Sequence, residues 1–177
     1  MSVVRTAEVV PQPWANGGGT TRELLSAADG RWRISLADVD RPGSFSSFPG
    51  QDRLLTLVAG EVLVLEVGGP DGPAESVVEP ARPFAFSGDD EVAAALPEGP
   101  VRALNLIAER GHRLSATVLE LSRTSVLPLA ADQAAFVVQG RVAAGAEEAG
   151  ALDLVMGPGE VRGRARVVVL TIASPDR

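Results

Sequence analysis

The 177-residue chain has no cysteine, no lysine and only one histidine. The absence of cysteine excludes disulfides, thiolate metal sites and a cysteine nucleophile. The absence of lysine excludes Schiff-base chemistry and leaves arginine as the only fixed cation that could pair with a carboxylate. With His112 as the only imidazole, a nucleophile–base pair or a transition-metal centre is difficult to build. We therefore expect neither a metal ion nor another cofactor.

Long apolar runs are also missing, since none approaches the roughly 20 residues of a membrane span. Residues 1–6 lack the basic start and apolar stretch of a signal peptide. The net charge of −7 disfavours nucleic acid and anionic membranes as partners. We therefore expect a cytoplasmic protein that binds neither.

Short apolar runs separated by glycine, proline and aspartate predict an all-β protein. In residues 32–37, apolar side chains alternate with Arg33 and Ser35, which places these two on one face of a strand. Residues 54–58 and 62–67 flank Ala59-Gly60-Glu61 and predict a tight hairpin. Further strands are predicted at residues 83–86, 91–96, 101–107, 114–121, 135–138, 141–144, 152–156 and 167–172.

A weak internal repeat relates residues 55–62 to residues 135–142, and a proline-bearing turn followed by a strand comes after each copy. This order resembles the cupin barrel, and two copies imply a bicupin, two tandem cupin-type barrels. We place the first half, with the ligand pocket, at residues 1–112 and a mainly structural second half at 113–177. Residues 47–52 carry no histidine where the first cupin motif would place a pair, which again disfavours a metal centre.

The most distinctive segment is Pro13-Trp14-Ala15-Asn16-Gly17-Gly18-Gly19-Thr20-Thr21-Arg22-Glu23. Consecutive glycines allow positive φ angles and a close approach to a ligand or a neighbouring strand. A phosphate-binding loop would require a lysine, which is absent. Two interpretations stay open at this point, a tight turn anchored by Trp14 or a loop that contacts a ligand.

This segment, the segment 32–37, the motif Phe48-Pro49-Gly50-Gln51-Asp52-Arg53 and the segments 43–47, 84–88 and 102–110 together resemble the HutD/Ves family. That family is a group of small bicupins associated with bacterial histidine utilisation. The segments occur in the family's order over about residues 9–112. The chain departs from the family pattern near Asn105, because Ala103 stands where the family has an acidic residue. If that carboxylate orients an arginine, ligand preference in this member is expected to differ.

The resemblance implies binding of a small carboxylate such as N-formyl-L-glutamate, by a monomer or homodimer that modulates histidine utilisation. The site residues expected from it are polar, glycine or aromatic positions of the first half: Asn16, Gly17, Gly18, Thr21, Glu23, Arg33, Ser35, Phe45, Phe48, Arg53, Phe86 and Asn105.

Each of these residue types suits a carboxylate ligand. Arginine pairs with a carboxylate through two parallel hydrogen bonds, and an asparagine side chain can donate and accept. Backbone N–H groups of the glycines can form an oxyanion nest, and phenylalanines can form an apolar wall. Thr21 is expected to cap the turn or touch the ligand, and Glu23 to hold an arginine in place.

Two other functions compete with ligand binding. A metal-independent cupin enzyme of the isomerase or hydrolase type would use Glu23 or Asp52 as its base. Carboxylates beside arginines should have lowered pKa values, which favours binding over base catalysis. An interaction module with a vestigial pocket is the third possibility.

Overall fold

The computed structural model describes residues 1–69 and 71–174, and within them it contains no α-helix and only one 3-10 turn, Thr6–Glu8. The all-β prediction is confirmed. None of these residues form a helix long and apolar enough to cross a membrane. The chain divides into two compact units, Val10–Arg110, here called the pocket unit, and residues 1–9 with 111–174, here called the second unit.

The sequence division at residue 112 placed residues 1–9 in the first half. In the structure, strand β1 (Ser2–Val4) pairs instead with a strand of the second unit, at residues 154–156. Arg5 likewise forms an ion pair with Asp153 at 2.8 Å. The first residues therefore complete the second unit, a long-range pairing that sequence proximity does not indicate.

Ten strands build the pocket unit: β2 (Gln12–Pro13), β3 (Gly19–Ser26), β4 (Trp32–Val39), β5 (Gly43–Ser44), β6 (Gln51–Ala59), β7 (Leu63–Val67), β8 (Ala74–Val78), β9 (Phe84–Ser87), β10 (Val92–Ala95) and β11 (Val101–Glu109). A six-stranded sheet has the order β2-β3-β4-β11-β6-β9, and a four-stranded sheet has the order β5-β10-β7-β8.

The predicted hairpin around Gly60 is wrong. Both strands form, but β6 pairs with β11 and β9, whereas β7 pairs with β10 and β8. The turn at Gly60, whose φ is +93°, therefore carries the chain from one sheet to the other. A glycine turn between two apolar runs looks the same in sequence whether the runs pair or separate.

Alternating side chains of the two sheets form the core of the pocket unit. Leu55 and Leu57 of β6 pack in the same buried cluster as Leu63 and Leu65 of β7. Each fully buried leucine stabilises the fold by about 1.5–3 kcal/mol relative to an exposed one. Because every second residue of a strand faces this core, the same periodicity decides which side chains of β4 and β11 point inward.

Strand register arranges the inward residues in three rows across the six-stranded sheet. From one end of the sheet, the rows run through Arg33, Ile107 and Arg53, then Ser35, Asn105 and Leu55, then Ala37, Ala103 and Leu57. Glu23 pairs with Ser35 and Thr21 with Ala37, so β3 extends the second and third rows. One end of the inner face is therefore polar and the other apolar.

The second unit forms one seven-stranded sheet from β1 and six later strands: β12 (Arg113–Leu121), β13 (Val126–Leu129), β14 (Gln133–Ala144), β15 (Glu147–Ala149), β16 (Leu154–Met156) and β17 (Gly159–Ala173). The separate strands predicted at 135–138 and 141–144 are one continuous strand, β14. A register shift between Val137 and Gln139 and a φ of +92° at Gly140 bend it instead of ending it.

Candidate functional site

A cavity of about 480 Å³ opens in the pocket unit. Its lining comes from strands β2, β3, β4, β5, β6 and β11 and from the two segments around residues 14–16 and 45–48: Gln12, Pro13, Trp14, Ala15, Asn16, Thr21, Glu23, Arg33, Ser35, Ala37, Val39, Ser44, Phe45, Ser46, Phe48, Arg53, Ala103, Asn105 and Ile107.

Most of the residues expected from the sequence lie in this lining: Asn16, Thr21, Glu23, Arg33, Ser35, Phe45, Phe48, Arg53 and Asn105. Gly17, Gly18 and Phe86 are not part of it. The structure therefore brings residues from five separate sequence segments to one cavity, and their binding of a ligand remains a prediction.

Trp14 anchors the glycine-rich segment. Its Nε1 donates a hydrogen bond to Thr21 Oγ1 at 2.7 Å, and its ring packs edge-on against Phe45 with centroids 5.7 Å apart. Gly17 adopts a φ of +70°, and a Cβ on Gly19 would collide with the backbone carbonyl of Asp38. Gly17 is thus favoured by the turn, and Gly19 is required by the close approach of two strands.

The predicted oxyanion nest does not form at Gly17 and Gly18. The N–H of Gly17 donates to the Trp14 carbonyl at 3.0 Å, and that of Gly18 donates to Asn16 Oδ1 at 2.9 Å. Asn16 also donates from Nδ2 to the Ser44 carbonyl at 3.0 Å, so its side chain fastens the turn to β5. Tight turns commonly satisfy their own N–H groups in this way, through an asparagine side chain.

Arg53 is the most buried charged residue at the cavity, with 6% of its surface exposed. Its guanidinium donates one hydrogen bond, from Nη1 to the Ser46 carbonyl at 3.1 Å, while Nε has no protein partner. The guanidinium carbon lies 5.0 Å from the ring centroid of Phe48 and 4.6 Å from that of Phe86. Phe86 therefore lies outside the lining but supports the arginine that belongs to it.

Arg33 shares Phe48 with Arg53, since its guanidinium carbon lies 4.5 Å from the same ring centroid. Within residues 1–69 and 71–174, neither arginine has a carboxylate within ion-pair distance. Burial, followed by the positive charge of Arg33, lowers the pKa of Arg53 to about 10. Arg53 still keeps its proton at neutral pH, so two unpaired positive charges border the cavity.

The two candidate bases, Glu23 and Asp52, do not form the ion pairs with Arg33 or Arg53 that the sequence suggested. Glu23 lines the cavity and is exposed, but it forms no ion pair with Arg33 or Arg53 among the ion pairs of the described chain, so it does not hold either one. Asp52 lies outside the lining and pairs with Arg110 at 3.4 Å instead of with its neighbour Arg53. Only Glu23 is therefore placed where a base could act.

Two polar residues occupy the row next to the arginines. Ser35 and Asn105 are cross-strand neighbours, and both are buried. Asn105 Oδ1 has no protein hydrogen-bond partner, although burial of a polar atom is unfavourable without one. Arg53 Nε is the other buried polar side-chain atom of the described residues that has no protein partner.

Sequence reasoning missed several lining positions. Ile107 and Ala103 follow from the period of two around Asn105 on β11, a signal that was available. Ser46 contributes its backbone carbonyl to Arg53, and no residue type encodes such a contact.

In the part of the chain that the structure describes, no three His, Asp or Glu side chains converge as metal ligands.

Comparison with known proteins identifies relatives of this chain. The HutD family model matches residues 6–164. An uncharacterised 21.2 kDa protein in the hutC 3′ region of Pseudomonas putida is 37% identical over 112 residues, which cover 60% of this chain and 57% of that protein. Protein Ves of Citrobacter koseri is 36% identical over 115 residues, which cover 63% and 59%. The matches thus span less than two thirds of these relatives.

Solved structures extend the likeness to the whole fold. HutD from Pseudomonas fluorescens SBW25, in a structure described as a formate condition, superposes with a TM-score of 0.81 and 30% identity over 97% of both chains. Oxalate decarboxylase from Lactobacillus farciminis superposes with a TM-score of 0.69 over 98% of this chain and 86% of its own, at 9% identity, which shows the fold alone. These matches confirm the bicupin fold and the resemblance found in the sequence. The chain belongs to the HutD family.

Proposed function

We propose that the pocket unit binds a small carboxylate without a metal ion, with N-formyl-L-glutamate as the first candidate, and that this binding modulates histidine utilisation. The observation that carries the proposal is the pair Arg33 and Arg53, which line one cavity without a carboxylate partner in the described chain. A buried positive charge is unfavourable unless something pairs with it. A ligand carboxylate supplies that pairing.

The geometry of the arginines supports carboxylate recognition. The guanidinium carbons of Arg33 and Arg53 lie 4.5 Å and 5.0 Å from the ring centroid of Phe48. Stacking on a shared ring and the hydrogen bond from Arg53 to Ser46 hold the side chains in place before a ligand arrives. Such preorganisation reduces the entropy lost on binding.

The charge and size of the cavity support a small dicarboxylate. Two arginines and Glu23 give the lining a net charge of one positive unit, with one arginine available for each of two carboxylates. A volume of about 480 Å³ lies within the range of small-molecule sites. N-formyl-L-glutamate offers two carboxylates and a formamide to this arrangement.

The link to histidine utilisation has separate support from the relatives. The Pseudomonas putida protein is described by its position in the hutC 3′ region, and the family carries the HutD name. A binding protein without turnover would act on the pathway by sensing or withholding an intermediate. This regulatory role depends on binding of the intermediate, so a protein that does not bind it could not act in this way.

The alternative function is a metal-independent cupin enzyme, and one observation favours it. Glu23 lines the cavity, and its carboxylate is not committed to either arginine. It lies in the row of Ser35 and Asn105, next to the expected position of a bound carboxylate. Loss of turnover in Glu23→Gln with binding retained would identify this function.

Calorimetric titration tests the proposal. N-formyl-L-glutamate, L-glutamate and urocanate are each titrated into the wild-type protein, into Arg33→Ala and into Arg82→Ala. Arg82 is an exposed arginine of the same unit that pairs with Glu79, so it controls for loss of one positive charge. We expect saturable one-to-one binding of N-formyl-L-glutamate that is lost in Arg33→Ala and kept in Arg82→Ala.

Two outcomes contradict the proposal. If none of the three ligands binds, the cavity is not a site for these carboxylates and an interaction module becomes the better explanation. If binding survives in Arg33→Ala, the ligand occupies another place. Product analysis by NMR after long incubation separates binding from catalysis, because an enzyme would convert the ligand.

A further inference from the structure

The side-chain amide of Asn105 is buried at the cavity with its carbonyl oxygen unused. The residue is 6% exposed, and Oδ1 has no protein partner. Its Nδ2 lies 3.5 Å from the Ala103 carbonyl, at the limit of a hydrogen bond. Ser35 lies directly across in the β4–β11 register, but it does not donate to this oxygen. Buried polar atoms of this kind are rare in folded proteins.

The two unpartnered buried atoms of the described chain have opposite requirements. Arg53 Nε carries a hydrogen and needs an acceptor, whereas Asn105 Oδ1 needs a donor. Ile107 is the cross-strand neighbour of both arginines. Asn105 lies two residues from Ile107 on β11, so the rows of Asn105 and of the arginines are about 6.6 Å apart along the strand. A simple carboxylate brings only acceptors and satisfies the arginine alone. A fully complementary ligand therefore also carries an N–H or O–H group within one row of its carboxylate.

The charges around Asn105 favour a neutral donor over an ammonium group. Arg33 and Arg53 lie in the adjacent row, and both are positively charged. Glu23 is exposed, while Ser35 and Asn105 are 4% and 6% exposed and carry no charge. An ammonium buried there would lose its hydration beside two like charges. An amide N–H is not repelled by these charges and loses much less hydration than an ammonium group.

We propose that Asn105 is a specificity-determining residue, which accepts a hydrogen bond at Oδ1 from a neutral N–H of the ligand. The ligand class is a carboxylate that bears a secondary amide, so an amine, an ester or a plain dicarboxylate is discriminated against. This inference rests on the proposed binding of the carboxylate at Arg33 and Arg53. It adds that the amide hydrogen itself is recognised.

The test compares two ligands that differ only at the amide. N-formyl-L-glutamate and (S)-2-formyloxyglutarate have the same shape, but the ester has an oxygen in place of the N–H. In the wild-type protein the amide should bind roughly 10- to 100-fold more tightly, because the ester leaves Oδ1 unpaired and places a second acceptor against it. In Asn105→Leu, this preference should fall to about 3-fold or less, because the amide loses its acceptor and the ester is no longer opposed by Oδ1.

A matched variant and a stability measurement complete the test. Arg33→Ala should weaken both ligands by the same factor, because it removes the carboxylate contact and not the amide contact. The melting temperature of ligand-free Asn105→Leu should equal or exceed that of the wild type, since leucine removes an unpaired polar atom at similar volume. A residue with a purely structural role would lower it.

The outcomes separate the two proposals. If wild-type protein binds amide and ester equally and Arg33→Ala loses both, carboxylate binding stands and the role of Asn105 is wrong. If neither compound binds, both proposals fail. The wild-type comparison uses no variant, so equal binding of the two compounds would overturn the role of Asn105 even if Asn105→Leu does not fold.

Discussion

Two pairs of arginines occupy the same six-stranded sheet, and they differ in what accompanies them. Arg22 and Arg102 both bind Asp38, at 2.8 Å and 2.5 Å. Arg33 and Arg53 share an aromatic ring and have no carboxylate within ion-pair distance in the described chain. The positive charges of the first pair are paired with a carboxylate, while those of the second pair are not.

Strand periodicity explains how one sheet holds both arrangements. Asp38 is an even-numbered position of β4, and Arg33 is an odd-numbered one, so their side chains leave opposite faces of the sheet. Arg33 lies on the face that carries the cavity and the core. The two pairs therefore differ in their partners, and the proposed binding role belongs to the pair that has no carboxylate partner in the described chain.

The largest effect is expected from Arg53→Met. This change removes the buried cation but keeps an apolar side chain of similar length beside Phe86. Binding of N-formyl-L-glutamate should weaken by at least about 100-fold, since a desolvated charged contact is lost. Stability of the ligand-free protein should stay equal or rise, because an unpaired buried charge is removed. Calorimetry and thermal denaturation measure the two effects, and a large fall in stability would contradict the account.

Asp38→Asn tests the opposite arginine pair. It leaves Arg22 and Arg102 without their shared carboxylate and should lower the free energy of unfolding by about 1–3 kcal/mol. Ligand affinity should change by less than about 2-fold, because both side chains lie on the other face of the sheet. Denaturant unfolding measures the free energy of unfolding, and calorimetry measures the ligand affinity. Strong loss of binding without loss of stability would reverse the assignment of the two pairs.

Phe48→Leu weakens the aromatic contact that Arg33 and Arg53 share. We expect a roughly 5- to 30-fold loss of affinity, as two cation–π contacts are removed while the charges remain. The entropy of binding should become less favourable, because the arginines are no longer held in place. Calorimetry at several temperatures gives the enthalpy and the entropy of binding separately. Unchanged affinity would mean that the ring serves the core only.

The smallest effect is expected from raising the pH. Burial and Arg33 lower the pKa of Arg53 to about 10. Affinity for a carboxylate should be constant from about pH 7 to 9 and fall above about 10, as Arg53 loses its proton. Because its pKa is below the ordinary value, deprotonation favours the folded state, so this fall would not reflect unfolding at Arg53. A titration series checks it, and Arg53→Met should lack this dependence.

The sequence predicted the polar face of β4 because alternation is local. Arg33 and Ser35 occupy the predicted face, and both line the cavity. The resemblance located Asn105 and Phe48, which lie far apart in the chain. One strand, or one family motif, contained the signal that places these residues at the cavity, and their binding of a ligand stays a prediction.

Other features depended on pairing between distant segments. The run at 54–67 crosses between sheets at Gly60, and the first residues join the second unit, because both outcomes depend on strand partners elsewhere in the chain. Gly17 and Gly18 use their N–H groups inside the turn, which depends on the rotamer of Asn16. The pairing of Asp52 with Arg110 instead of Arg53 is likewise a tertiary contact.

The most direct test titrates N-formyl-L-glutamate into Arg33→Ala and Arg22→Ala side by side. Both variants lose one arginine from neighbouring strands of the same sheet, so net charge and composition are matched. The account predicts near-complete loss of binding in Arg33→Ala and wild-type affinity in Arg22→Ala. Equal loss in both variants would mean that general positive charge, and not the unpaired arginines of the cavity, holds the ligand.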